Sequence, residues 1–459
     1  MECASVAASK TAVVFKKEIF VLWLSGSLLF ASGASVSAET LLSALGRAYS
    51  GNPDLNQSRA NVRVRDEDAP KALAGMRPKA SIQASAGPQY GNLRIPGGRS
   101  ASGERQYTGQ EFVGYPRGAT LNMSQNIFDG GRTENSVRQA DSNIFAARAT
   151  MRLTEQAILQ NGATAYMNVL RDTAITGLRN NNIAVLEQQL KQTQDRFKVG
   201  EVTRTDVAQA EAALAQARSE LYASQAQLKT SVANYRQIIG NEPSRLEPGR
   251  SLEPLLPKAV SDAITISLVE HPGVTAALHQ VNSAELAVKV AESALSPTLS
   301  VNAQVSNQYD SFLGIPGSRQ FSAAASGQLN IPLYQGGAEY ASIRQAKEQL
   351  GQARLNADLQ RDSVRASVVS SYGLLETARA SIVSGQAAVK AAETALAGVR
   401  EEAKVGQRTT LDVLNAQQAL LNARVNLVIS QRDRVVASYA ALGSIGRLSS
   451  AELNLDVTP

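Results

Sequence analysis

Lys198-Val199-Gly200-Glu201-Val202-Thr203-Arg204-Thr205-Asp206-Val207 returns later in the chain as Lys404-Val405-Gly406-Gln407-Arg408-Thr409-Thr410-Leu411-Asp412-Val413. Gly406 minus Gly200 is 206 and Asp412 minus Asp206 is also 206, so the two copies share one register. Each lies between long Ala-, Gln- and Leu-rich segments, with a glycine suited to ending one helix and a Thr or Asp suited to starting the next. Both read as tips of helical hairpins, and the fold has to accommodate that hairpin twice.

The repeat extends well beyond the tips. Asn126-Ile127-Phe128-Asp129-Gly130-Gly131 corresponds to Ile331-Pro332-Leu333-Tyr334-Gln335-Gly336-Gly337, with Gly130 and Gly336 again 206 apart. Upstream, Asn52-Pro53 matches His271-Pro272 and Pro78 matches Pro297, both at an offset of 219. The offset falls by 13, so the first copy carries 13 more residues between its proline and its double glycine, which points to a longer loop there. The division expected is a leader at 1–38, a first repeat at 39–240, a linker at 241–258, a second repeat at 259–447 and a tail at 448–459.

Within each copy the order is the same. An amphipathic helix over 41–73, and again over 259–295, stops at Pro78 or Pro297, because the residue before proline is pushed out of the helical region. The period then changes to two: Ile82, Ala84 and Ala86 alternate with polar residues, as do Leu299, Val301, Ala303 and Val305. Return strands follow, with Leu121, Met123 and Ile127 in one copy and Phe321, Ala323, Ala325, Leu329, Ile331 and Leu333 in the other. This predicts β-hairpins at about 79–128 and 298–334, with far loops at 91–118 and 308–318. Strands of roughly ten residues match a tilted strand crossing an outer membrane, but four strands cannot close a barrel that needs about eight. Other chains must supply the rest.

Past Gly130-Gly131 and Gly336-Gly337, which permit a sharp strand-to-helix transition, long helices are predicted over 133–198 and 338–404, each ~100 Å long. Returning helices are predicted over 205–239 and 410–442. Their apolar repeat is seven, with Val207, Leu214, Leu221, Leu228 and Tyr235 in one, and Val413, Leu420 and Leu427 in the other. Ala or Ser follows three positions later, at Ala210, Ala217, Ser224 and Ser231, and at Ala416, Ala423, Ser430 and Ala437. A large–small seam of this kind suits close knobs-into-holes packing. The stretch at 240–257, with Pro243, Pro248, Pro254 and Pro257, can be neither one helix nor a central strand, so it is a linker or a collar around the helices.

Residues 1–38 read as a secretory leader: Lys10, Lys16 and Lys17 precede an apolar run shorter than a membrane span, and Val36-Ser37-Ala38 offers small residues for cleavage. The only cysteine, Cys3, lies in that leader, so the exported chain would hold no disulfide, zinc-thiolate or lipidated cysteine. A formal net charge of +6 spread over 459 residues argues against a nucleic-acid partner. Catalysis and cofactors find no support: His271 and His279 are eight apart, about two helical turns, and no Ser/His/Asp, Cys/His or GxxxxGK[ST] arrangement occurs. The tip aspartates Asp206 and Asp412 are either helix-start residues that favour the dipole or charges lining an aperture, where a symmetric ring of Asp412 would favour cations.

Taken together, the duplicated order, Pro332-x-Tyr334-x-Gly336-Gly337, and Val405-Gly406-x-Arg408-Thr409-x-x-Asp412-Val413-Leu414 resemble the TolC family of outer-membrane efflux and secretion channels, across the mature chain. The resemblance implies an α+β membrane protein of Gram-negative cells. Its homotrimer would form a 12-stranded barrel, four strands per chain, set in outer-membrane lipid and continued by a helical coiled-coil barrel through the periplasm. It implies a passive exit duct docked to a periplasmic adaptor and an inner-membrane RND pump or ABC exporter. By position it implies that Arg408 ties one hairpin to a neighbour through Thr205 and Asp206. It also places Asp412 at the pore constriction, and Val199, Gly200, Val405 and Gly406 at the adaptor-docking tips. Two positions depart from the family: a lock tyrosine is replaced by Ala403 and a second constriction aspartate by Asn415, which implies a weaker lock and a less negative aperture. A periplasmic coiled-coil scaffold or adaptor without a pore is the alternative.

Overall fold

The computed structural model describes residues 39–99, 101–311 and 317–455. The expected leader lies outside the described residues, as do 312–316 of the second far loop and the last four residues of the tail.

Two helices of 67 residues, α4 (Arg132–Lys198) and α8 (Ala338–Lys404), are the longest elements described, ~100 Å each. Each begins directly after two left-handed glycines, Gly130 (φ 67°) and Gly131 (φ 81°), or Gly336 (φ 69°) and Gly337 (φ 85°). Few other residues adopt that backbone. The returning helices α5 (Arg204–Ile239) and α9 (Thr410–Ile445) have only 36 residues and stop at left-handed Gly240 and Gly446. The remaining length of α4 and α8 is covered by short helices: α1 (Leu41–Gly51), α2 (Pro53–Asp66) and α3 (Asp68–Leu73) against α4, α6 (Val260–Glu270) against α8, and α7 (Pro272–Glu292) against both.

The single helices expected over 41–73 and 259–295 are therefore broken, and the break falls at the repeat's own X-Pro marker. Asn52 (ψ 126°) and His271 (ψ 123°) are extended, as a residue before proline prefers. Each then caps the helix that the proline opens: Asn52 Oδ1 accepts from the Asp54 N–H at 2.9 Å, and His271 Nδ1 from the Gly273 N–H at 3.1 Å. The second histidine, His279, sits against the Phe145 ring, centroids 5.4 Å apart.

The strands β1 (Lys79–Ala86), β4 (Arg117–Phe128), β5 (Thr298–Tyr309) and β6 (Arg319–Asn330) form one antiparallel sheet in the order β1-β4-β5-β6, leaving β1 and β6 as its edges. Where a loop is expected at 91–118, the chain instead forms a two-stranded ribbon of β2 (Gln89–Arg99) and β3 (Arg105–Gly114). The ribbon continues the register of β1 and β4: Ala86 opposes Arg117, Gln89 opposes Gly114, and Pro96 opposes Tyr107. Pro88 and Pro116 have no N–H to give, so the ladder is interrupted between them and the Gly87 N–H bonds the Pro116 carbonyl at 3.2 Å. At the other end β6 stops at Asn330 rather than near 334, because Pro332 cannot donate to a ladder.

The main core lies where α1, α4, α5 and α9 meet, around the fully buried Tyr166, Tyr235 and Tyr439. Leu252 of the proline-rich segment and Leu448 and Leu453 of the tail belong to it. Segment 241–258 wraps this core as a collar. It pairs with Glu39 through Glu39 N–H to the Arg245 carbonyl at 2.8 Å and Glu247 N–H to the Glu39 carbonyl at 3.0 Å, and the Leu252 N–H bonds Ser438 Oγ at 3.0 Å.

Candidate functional site

No helix among the described residues is long and apolar enough to cross a membrane. The sheet, by contrast, has two chemically opposite faces. Cross-strand rows on one face read Ala84-Ala119-Asn307-Phe321, Ile82-Leu121-Val305-Ala323 and Ala80-Met123-Ala303-Ala325. The alternate rows on the other face read Ser85-Gly118-Gln308-Gln320, Gln83-Thr120-Ser306-Ser322 and Ser81-Asn122-Gln304-Ala324. The apolar members stay open in the single chain, with Ile82 at 74% and Phe321 at 66% exposure. From Leu299 to Tyr309 the strand advances ten residues, ~33 Å along its axis, or ~25 Å of height at a ~40° tilt, the thickness of an outer-membrane apolar band.

At the helix end of the sheet, Pro78 and Pro297 immediately precede β1 and β5, and the two glycine pairs start α4 and α8. A β-bulge at Ile127 brings Phe128 opposite Leu299 there. A cavity of about 600 Å³ opens at this junction, lined by polar-face residues Lys79, Asn126, Thr298 and Asn330 together with Asp129 and Glu339.

The opposite ends of α4 and α8 are the tips. Gly200 (φ 81°) and Gly406 (φ 79°) turn the chain, and the neighbouring Val199 and Val405 are 72% and 71% exposed. Each returning helix opens with a capping box. Asp206 Oδ2 accepts from Thr203 N–H at 2.9 Å while Thr203 Oγ1 accepts from Asp206 N–H at 3.2 Å, and Asp412 with Thr409 repeats this at 3.0 and 3.2 Å. These bonds from Thr203 and Thr409, with the nearby Arg196 and Arg408, hold both carboxyls below their usual range. The tip aspartates are thus helix-start residues and lasting anions at once. Asn415 follows Asp412 by three positions on α9, so the two share a helix face.

Arg408 lies on the same tip, where its Nε donates to Glu402 Oε2 of its own hairpin at 2.8 Å, and this bond raises the guanidinium pKa above its usual value. Among the described residues it makes no hydrogen bond or ion pair with Thr205 or Asp206 of the same chain. Sequence reasoning missed Glu402; its position six residues before Arg408 across a glycine turn was the available signal.

The collar carries a second polar centre absent from the sequence reading. Glu253 accepts from Arg434 Nε at 2.6 Å and from Arg379 Nη2 at 2.7 Å, and these arginines bring its carboxyl down to about 2. On the other side, the buried Glu39 carboxylate takes Arg47, Tyr235 and the Ser244 hydroxyl. Another buried carboxylate, Asp172 in the α4–α5 seam, accepts from Ser231 Oγ at 2.6 Å and Arg171 Nε at 2.7 Å.

A sheet with one lipid-compatible face and one water-compatible face, standing on duplicated helical hairpins ~100 Å long, defines a subunit of an outer-membrane channel with a periplasmic helical extension. The outer membrane efflux protein family matches residues 44–241 and 263–446, and the chain belongs to it. The chain is 41% identical over 434 residues to outer membrane efflux protein BepC of Brucella suis, covering 95% of this chain and 91% of that one. It is 26% identical over 444 residues to outer membrane protein TolC of Escherichia coli, covering 91% and 85%. Among solved structures, the outer membrane protein VceC of Vibrio cholerae superposes with a TM-score of 0.72 at 22% identity, over 88% of this chain and 96% of that one. The protein is an outer-membrane efflux and secretion channel component that extends into the periplasm.

Proposed function

We propose that three copies assemble through the free edges of β1 and β6, making twelve strands from three four-stranded sheets. The channel is then the exit duct of a tripartite efflux pump or a type I secretion system. An inner-membrane RND pump or ABC exporter supplies the energy, and a periplasmic adaptor meets the exposed Val199-Gly200 and Val405-Gly406 tips. The observation that carries this reading is the two-faced sheet with unpaired edges: an open sheet whose apolar face is bare is a poor soluble structure and a good fraction of a barrel.

In the closed assembly Arg408 reaches Thr205 and Asp206 of a neighbouring hairpin, exchanging or sharing its bond with Glu402, while Asp412 and Asn415 face the narrow end of the duct. Opening separates these contacts, so it is a shift between two arrangements of the tips. Single-channel conductance of purified trimers in a planar bilayer tests the reading. A small, cation-preferring conductance that rises in Arg408→Ala is expected. Trimers that never conduct would return weight to a scaffold without a pore.

A further inference from the structure

The outermost row of the apolar face is not apolar. Arg117, Tyr309 and Arg319 oppose one another across β4, β5 and β6, one row beyond Ala119-Asn307-Phe321. The two guanidinium carbons lie 5.7 and 5.5 Å from the Tyr309 ring centroid, so both cations rest against one aromatic ring. Arg117 also pairs with Asp310 at 3.0 Å. Asp310 is itself pinned by the Gly317 N–H at 2.6 Å and by its own N–H to the Ser318 carbonyl at 2.8 Å. Arg319 has no ion-pair partner among the described residues, and the Arg117 side chain is 61% exposed.

We propose that this row binds the phosphate groups of an outer-leaflet glycolipid. The proposal rests on the membrane reading above, which puts the row ~25 Å from the Leu299 row, at the outer water interface. Arginine on the lipid-facing side is tolerated at that depth, and its planar fork pairs with phosphate through two hydrogen bonds. The row beneath, Ala84-Ala119-Asn307-Phe321, and the apolar rows below it present small and hydrophobic side chains along which acyl chains lie. The ligand is therefore an amphiphile with an anionic head.

Two further features select the outer leaflet. The corresponding row at the inner rim, Phe128-Leu299-Leu329, carries no charge, so on the apolar face the basic row is at the outer rim. Beyond the row, the ribbon continues the same face with Tyr90, then Asn92 donating to Glu111 at 3.1 Å, then Arg94 stacked over Tyr107 at 4.7 Å to the ring centroid. That mixed ladder of aromatic, amide, acidic and basic groups suits sugar hydroxyls standing above the membrane, and leaves phosphate binding to the Arg117–Arg319 row.

The test uses purified full-length trimers in detergent, titrated with bisphosphorylated lipid A, dephosphorylated lipid A or phosphatidylglycerol and read by native mass spectrometry. Bisphosphorylated lipid A should bind at least tenfold tighter than either other lipid. The double variant Arg117→Gln/Arg319→Gln should lose that preference while keeping wild-type conductance. Equal binding of bisphosphorylated lipid A by wild type and double variant overturns the proposal, and so does phosphatidylglycerol binding as tightly as lipid A. If the double variant fails to trimerise, Arg319→Gln alone must weaken lipid A binding at least threefold, and full retention overturns the site. Loss of lipid preference with conductance intact leaves the channel reading standing, whereas wild-type trimers that neither insert nor conduct would remove the channel reading itself.

Discussion

The two repeats share a backbone and differ in charge, and the tips show it most clearly. Gly200 and Gly406 have nearly the same φ, and Thr203-Asp206 and Thr409-Asp412 form the same capping box. Yet Arg196, which pairs with Glu201 at 3.0 Å, occupies the position that Glu402 holds in the second copy, 206 residues on. The second tip reverses the pair, with the acid before the turn and Arg408 after it at 2.8 Å. Glycine and the caps conserve the shape, which leaves surface charge free to give two similar tips different neighbours.

The glycine pairs at the strand–helix junction give the largest expected difference between copies. Both Gly130 and Gly336 are left-handed, but a Cβ on Gly130 would lie 2.3 Å from Ser296 Cβ, while none would be met within 4 Å at Gly336. Gly336→Ala should therefore cost only backbone strain, about 1–2 kcal/mol, and Gly130→Ala about 3 kcal/mol or more. Thermal melts of the two trimers side by side check this; equal losses would show that the Ser296 contact relaxes freely. At the tips, Arg408→Ala should raise single-channel conductance several-fold while Arg196→Ala leaves it unchanged, as expected if only the second tip's arginine reaches a neighbour. Equal effects would erase the distinction drawn between the tips.

The collar comes next in size. Glu253→Gln removes charge-assisted bonds to two half-exposed arginines and should cost about 1–2 kcal/mol in denaturant melts. Because the folded carboxyl titrates at about 2, below its usual 4.5, the contribution is complete above pH ~4.5 and fades as pH falls toward 2. The smallest difference concerns the two X-Pro caps. His271 Nδ1 can accept the cap bond only in the neutral ring, and burial lowers the pKa of that ring, so folding stability should fall as pH drops below about 6.5, where the unfolded chain takes up the proton first. Asn52 has no such proton. His271→Asn should flatten stability between pH 5 and 7 with little change at pH 8, and a retained slope would assign that pH dependence elsewhere.

Much of this was legible because it is written in period and punctuation. The limits of α4 and α8 follow from the glycines before them and the Lys-Val-Gly turns after them, and Ala210, Ala217, Ser224 and Ser231 are buried on the seam that their spacing predicts. The charged seam member was not legible: Asp172 reads like any surface acid until Ser231 and Arg171 are brought to it by helix pairing. The ribbon was hidden because glycines and prolines at Gly91, Pro96, Gly97 and Gly98 mimic a loop, while the pairing that makes it a strand is set by the hairpin below. The intrachain bond of Arg408 to Glu402 was obscured for a different reason: carrying Arg408 over by position directs attention to a neighbouring hairpin and away from its own.

The mismatch between 67-residue outgoing and 36-residue returning helices has a mechanical consequence. The collar and its three buried tyrosines sit where the returning helices end, so each hairpin is a stiff arm ~54 Å long, and toward the tips the two arms touch through Leu414 against Leu186 and Leu214. A pivot of only ~10° at the collar would carry a tip ~9 Å, nearly the diameter of a helix, without breaking a backbone hydrogen bond within the arm. Repacking a few side chains around Glu253 or Glu39 would then be geared up into a wide displacement at the far end.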